Sequence, residues 1–182
     1  MKDRNVHNII CLCLLLPWFG CTESSDENAA FKTLHKGARL IQLEQIRFDD
    51  GDTFYLDGDP IRLLGFDTPE TKSEGVGIMY DQPYGPEAAE STRVWLTRAN
   101  RIEILLDGRG TYGRRLAHVF VDGQLLGVRM IRHALAYENV SHFGDNGFPE
   151  LADRYLEAAA TSPKPKFQQP YKWRKKHQKK KD

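Results

Sequence analysis

Cysteine is scarce in this chain, and where it occurs excludes one way of holding a fold together. Three cysteines are present in 182 residues, Cys11, Cys13 and Cys21, and none follows. The body beyond residue 21 therefore has no disulfide framework, and it lacks the cysteine and histidine spacing of a structural zinc site. Long hydrophobic runs are equally scarce. The longest, Ile9 to Phe19, has eleven residues, too few to cross a bilayer as a helix, which takes roughly 20. No glycine-rich loop of the kind that cradles nucleotide phosphates is present, and there are no internal repeats. Net charge is also missing: the formal total is only +1, so overall balance points to no partner.

The distribution of charge says more than the total. From Thr161 to Asp182 there are nine Lys/Arg against one acid, and the body from 21 to 160 carries about −8. An acidic body thus carries a basic tail. An apolar share of 40% and a charged share of 28% suit a soluble globular domain.

Lys2 and Arg4 ahead of the hydrophobic run give residues 1–20 the layout of an export signal. Gly20-Cys21, followed by Thr22-Glu23-Ser24-Ser25-Asp26-Glu27-Asn28, resembles a bacterial lipoprotein signal, which would make Cys21 the lipidated first residue and attach the protein to a membrane. An ordinary cleaved signal and an uncleaved anchor are the alternatives, and export is common to all three. Residues 21–36 are polar and without periodicity, as in a flexible tether.

The folded domain is expected over 37–160. Leu40, Leu43 and Ile46 mark a weakly alternating first strand. Asp50-Gly51 is a hairpin signal, Thr53–Leu56 the second strand, Asp57-Gly58-Asp59-Pro60 a turn and Ile61–Phe66 the third strand. Thr71 to Pro86 reads as an exposed loop, and Pro86 opens a helix to about Arg98. Strands follow at 101–106 and 115–121, then helices over roughly 124–133 and 150–160. Five short strands with a helix inserted after the third predict an α+β fold: a five-stranded OB-type barrel with about three α-helices. Pro163 and Pro165 then break the chain. The basic tail, 161–182, with Tyr171 and Trp173 among its lysines, is either an electrostatic arm for nucleic acid or anionic lipid, or a solvated extension.

Three clusters carry the chemistry. Asp50-Gly51-Asp52-Thr53 alone is a turn. Arg62-Leu63-Leu64-Gly65-Phe66-Asp67-Thr68-Pro69-Glu70-Thr71 ends a strand in two carboxylates and a hydroxyl, and Tyr112-Gly113-Arg114 alone is a loop with a solvated cation. Together they supply what phosphodiester hydrolysis needs. Paired aspartates can hold a hard divalent ion, a glutamate can orient or deprotonate water, and two arginines can fork onto phosphate oxygens.

These segments, with Tyr84-Gly85-Pro86-Glu87-Ala88 between them, occur in the order typical of staphylococcal-nuclease-like (thermonuclease) domains, which residues 38–160 resemble. The resemblance implies a Ca2+-dependent endonuclease, a hydrolase cutting DNA and RNA to 3′-phosphate and 5′-hydroxyl ends, and with the N-terminal signal an exported one. It also implies roles. Asp52 and Asp67, with the carbonyl of Thr68, hold Ca2+; Asp50 is an acid near the metal; Glu70 acts on the attacking water; Arg62 and Arg114 bind the phosphate. Tyr112 and Tyr137 are candidates for stacking on a base. The sequence departs from the family pattern in the loop carrying Ile78, Met79 and Tyr80, at Gly110-Thr111, and over Tyr137–His142. A non-catalytic nucleic-acid-binding module and a surface lipoprotein scaffold are the rival readings, and neither needs a metal. Nothing in the sequence suggests a protein partner, and a monomer is expected.

Overall fold

The computed structural model describes residues 35–110 and 113–179. The first strand is split. β1 (Arg39–Ile41) is followed by a 3-10 turn over Leu43–Gln45 and then by β2 (Ile46–Phe48). The turn is set by its own glutamines: the Gln42 N–H donates to Gln45 Oε1 at 2.8 Å. β3 (Thr53–Leu56) and β4 (Asp59–Leu63) form a hairpin across Asp57 and Gly58. Both turn residues have positive φ, 52° and 90°, the geometry of the two-residue turn that matches strand twist.

β5 (Phe66–Asp67) is a separate two-residue strand, and α1 spans Gly85–Thr97. β6 (Ile102–Arg109), β7 (Arg115–Val121) and β8 (Gln124–Leu125) lead into α2 (Leu126–Arg132), β9 (Tyr137–Glu138), α3 (Val140–Phe143), α4 (Pro149–Thr161) and α5 (Pro170–His177).

The main sheet runs β1-β6-β7-β4-β3-β2, with β8 beside β7, while β5 pairs with β9 alone. Its two outer strands, β1 and β2, are halves of one chain segment, so the sheet curls back on itself. The β4–β7 ladder is parallel and the others are antiparallel. The fold is α+β, a curled half-barrel with helices, consistent with the OB-type expectation. The three main helices stand where the sequence places them; α3 and α5 are additional.

Phe54, Ile61, Leu63, Phe66, Leu96, Ile104, Leu125, Leu126, Met130 and Tyr155 are almost wholly buried in one core. α4 contributes Leu151, Ala152, Tyr155 and Ala158, spaced so that they share one helix face. That face lies on α2. The Tyr155 hydroxyl meets His118 Nδ1 at 3.1 Å inside the core. Burial, helped by nearby His35, pushes the His118 imidazole down to about 4, so it packs as a neutral group.

The third strand is shorter than the sequence suggests. It ends at Leu63, and Gly65 with φ +87° turns the chain before β5. That turn aims Asp67 at the site described next.

Candidate active site

Two corners of the sheet and the C-terminal segment bring the acids together. The 49–52 connection between β2 and β3 is held by the Asp50 N–H on the Thr53 carbonyl (3.1 Å) and the Leu63 N–H on the Asp52 carbonyl (2.9 Å). Asp50 Oδ1 accepts the Asp52 N–H at 3.0 Å. Gly51 serves close approach here: a Cβ at this position would lie 2.8 Å from Thr68 Oγ1. Its carbonyl accepts the Thr92 hydroxyl at 2.7 Å, tying the corner to α1. Asp52 Oδ2 in turn accepts the Thr68 N–H at 2.8 Å. The two acidic segments are therefore locked to each other by the Asp52 carboxylate on the Thr68 N–H and by the close approach of Gly51 to the Thr68 side chain.

Arg62 stands on β4 opposite Thr53 and beside Leu116 of β7. Its guanidinium forks between the Asp52 and Asp67 carboxylates. Asp67 pairs with Tyr137 across the β5–β9 ladder. Glu70 follows on the loop, its N–H donating to Gln82 Oε1 at 3.2 Å, while the Gln82 N–H donates to the Glu70 carbonyl at 2.8 Å. Arg114 enters from the loop before β7. Among the described residues it has no carboxylate partner, and its Nε is buried without a hydrogen bond. Asp50, Arg62, Asp67, Glu70 and Arg114 line one cleft of about 700 Å3.

A further arginine completes the site, one the sequence left inside a run of basic residues. Arg174, on α5, places Nη2 3.0 Å from Asp67 Oδ2 and pairs Nη1 with Glu70. Residues 163–179 cross the molecule as a strap. Phe167 and Trp173 are buried, the Gln168 carbonyl accepts Gln82 Nε2 at 2.6 Å, and the Lys179 N–H reaches the Gly77 carbonyl at 3.0 Å. Trp173 meets Tyr80 edge-on with ring centres 5.7 Å apart. The divergent loop and the tail are thus each other's partners. The only hints in the sequence are Pro170 as a helix opener and the apolar Phe167 and Trp173 among lysines.

The charges are interdependent. Burial pushes the Asp52 carboxyl up to about 7 against the pull of Arg62, with Asp50 and Asp67 adding repulsion. Burial likewise raises Asp50. Asp67 is also buried, but Arg62 and Arg174 together hold it below the usual carboxylate range. Burial lifts Glu70, and Arg174 is the cation that opposes this. Both paired arginines are held firmly in their charged form by these acids, against the cost of burial.

Among the described residues no group of three or more His, Cys, Asp or Glu side chains is arranged as a metal cluster. A metal here would draw on Asp52 and Asp67, already drawn to one shared cation, and complete its shell with carbonyl, water or phosphate oxygen. That donor set is all oxygen and suits a hard ion. Tyr137 directs its hydroxyl to the Phe167 carbonyl at 2.8 Å, so its phenol anchors the strap. Tyr112, residues 1–34 (with the export signal, Cys21 and most of the tether) and the last three tail residues lie outside the described residues. No helix among the described residues is long and apolar enough to cross a membrane.

Residues 60–167 match the family model described as "Staphylococcal nuclease homologue". The chain is 36% identical over 95 residues to a protein named Thermonuclease from Staphylococcus intermedius, covering 50% of this chain and 55% of that one. Against the Thermonuclease of Staphylococcus hyicus the identity is 35% over 96 residues, again 50% and 55%. Against Endonuclease YncB of Bacillus subtilis (strain 168) it is 32% over 105 residues, 54% of this chain and 48% of that one. The chain therefore spans about half the length of these relatives.

Proposed function

The chain belongs to the staphylococcal nuclease homologue family, and from that premise we propose that it is an exported, Ca2+-dependent endonuclease hydrolysing phosphodiester bonds in DNA and RNA. One observation carries the reading: three carboxylates and two arginines of the expected motifs face a single cleft. The relatives named as a thermonuclease and an endonuclease support it.

In this reading Asp52, Asp67 and the Thr68 carbonyl hold Ca2+, which when bound polarises a phosphoryl oxygen. Glu70 orients the attacking water or takes its proton. Arg62 and Arg114 bind the phosphate, whose oxygens gain charge as the water oxygen adds to phosphorus. The P–O5′ bond breaks, the 5′ oxygen takes up a proton, and the phosphate stays on the 3′ side. Asp50 fixes the Asp52 backbone through their hydrogen bond. Residues 1–20 serve export, and Cys21 is the candidate point of lipid attachment at a membrane facing the periplasm or cell exterior, where calcium suits a weak oxygen site.

Incubating the protein with labelled DNA and RNA in Ca2+, Mg2+ or EDTA tests this. Cleavage in Ca2+ that EDTA abolishes is the expected result. Nucleic acid bound but uncut in every metal would sink the catalytic reading and leave a binding module.

A further inference from the structure

The strap is built as part of the site rather than as a tail beside it. It lies largely beyond the matched stretch, which stops at residue 167. Four separate contacts fix its course: Phe167 against Tyr84 and Tyr137, the Gln168 carbonyl on buried Gln82, Trp173 against Tyr80, and residues 178–179 against 76–78. Gln82 links the Glu70 backbone to the strap. Its side-chain oxygen takes the Glu70 N–H while its nitrogen holds the strap. The docked helix then delivers one charged group into the cleft, Arg174, with a side chain 28% exposed.

We propose that Arg174 is a positioning residue of the active site. Its planar fork spans Asp67 and Glu70, setting the carboxylate that handles water relative to the one that holds metal. The inference rests on the nuclease reading above. Arg174 is the sole side-chain cation paired with Glu70 among the described residues, so without it that carboxylate has no fixed orientation. A lysine could satisfy one acid at a time, whereas a guanidinium can hold two.

Arg174 also brings a positive charge close to a metal ligand. Its removal therefore has two effects of opposite sign. The acids lose a resident cation and would attract Ca2+ more strongly, because the positive charge paired with Asp67 is gone. The transition state loses the oriented Glu70, and replacing an outer partner of a ligating carboxylate costs about 10–100-fold in activity.

The test is Arg174→Gln beside Arg174→Lys and wild type. Ca2+ binding without substrate is followed by calorimetry, kcat and KM are measured on single-stranded DNA, and thermal unfolding serves as the control. For Arg174→Gln the expected result is kcat lowered about 10–100-fold with the Ca2+ Kd tightened by about three- to tenfold. Arg174→Lys should return the Ca2+ Kd to wild type but recover only part of kcat. Affinity and kcat rising together would show a strap that blocks the site and overturn the proposal. Both falling along with the unfolding temperature would show a structural prop, and no change in either would show an idle contact; each also overturns it. Wild type that neither binds Ca2+ nor cleaves would defeat the nuclease reading itself, and this proposal with it.

Discussion

Arg114→Ala is expected to lower kcat/KM for DNA cleavage by about 10³-fold or more, with Ca2+ affinity and folding stability close to wild type. Three features of the site lead there. Arg62 and Arg174 are each bound to two carboxylates, while Arg114 pairs with none among the described residues. It is thus the guanidinium most free to meet an incoming phosphate. An arginine aimed at a transferring phosphoryl group is worth roughly 10³–10⁵ in rate, because the charge it matches is larger in the transition state than in the ground state. It touches neither Asp52 nor Asp67, so the two proposed metal ligands are undisturbed. Arg62→Ala is a poorer probe, since it would leave Asp52 and Asp67 partly unpaired in the interior and confound chemistry with stability. Steady-state kinetics, calorimetry and thermal unfolding on the same Arg114→Ala sample check the prediction. A loss under tenfold would mean that this side chain does not meet the reacting phosphate.

A large loss of stability is expected from Gly65→Ala. Alanine there must adopt φ near +87° and place its Cβ 2.2 Å from Tyr155 Cε2. The left-handed backbone costs about 1–2 kcal/mol, and forcing extra volume into a packed core adds about 1–3 kcal/mol. The sum, about 2–5 kcal/mol, should lower Tm by roughly 5–20 °C for a domain of this size. Gly58→Ala separates the two contributions. Gly58 has φ +90° but nothing within 4 Å of its Cβ position, so only the backbone cost of about 1–2 kcal/mol applies. Urea unfolding of both variants decides it. Equal losses at the two positions would show that Tyr155 yields freely and that the clash has no weight. Gly65 also turns the chain from β4 into β5, so its replacement should weaken Ca2+ binding through a displaced Asp67.

What the sequence could reveal of this fold depended on whether an element's reason is local. β3 and β7 fall where alternation and turn residues place them, at Thr53–Leu56 and Arg115–Val121. α1 begins one residue before Pro86, the expected opener. The break between β1 and β2 is not legible, because it rests on a reciprocal glutamine contact and on the Asp57 N–H meeting the Gln45 carbonyl at 2.9 Å. The two-residue β5 and β9 exist only as a pairing between distant parts of the chain, while β8 is the short return of a hairpin across Asp122 and Gly123. Asp50-Gly51 reads as a turn pair, yet that glycine serves the approach of Thr68.

The site divides in the same way. The motif acids and arginines carry their spacing in the sequence, and the structure brings Asp50, Arg62, Asp67, Glu70 and Arg114 to one cleft, with Asp52 buried and paired to Arg62. Arg174 lies more than a hundred residues from its partners, within a segment whose composition reads as solvated charge. The burial of Phe167 and Trp173 against the 76–84 loop and Tyr137, with the hydrogen bonds of Gln168 and Lys179, turns that segment into structure.

The central claim is that this cleft hydrolyses phosphodiesters by adding water opposite the 5′ oxygen, so that the phosphate stays on the 3′ oxygen. The most direct measurement is the chemistry of the ends made from a labelled oligonucleotide in Ca2+. The account predicts 3′-phosphate and 5′-hydroxyl ends, with no cutting once EDTA is added. Products carrying 5′-phosphate, or cutting that persists in EDTA, would contradict it.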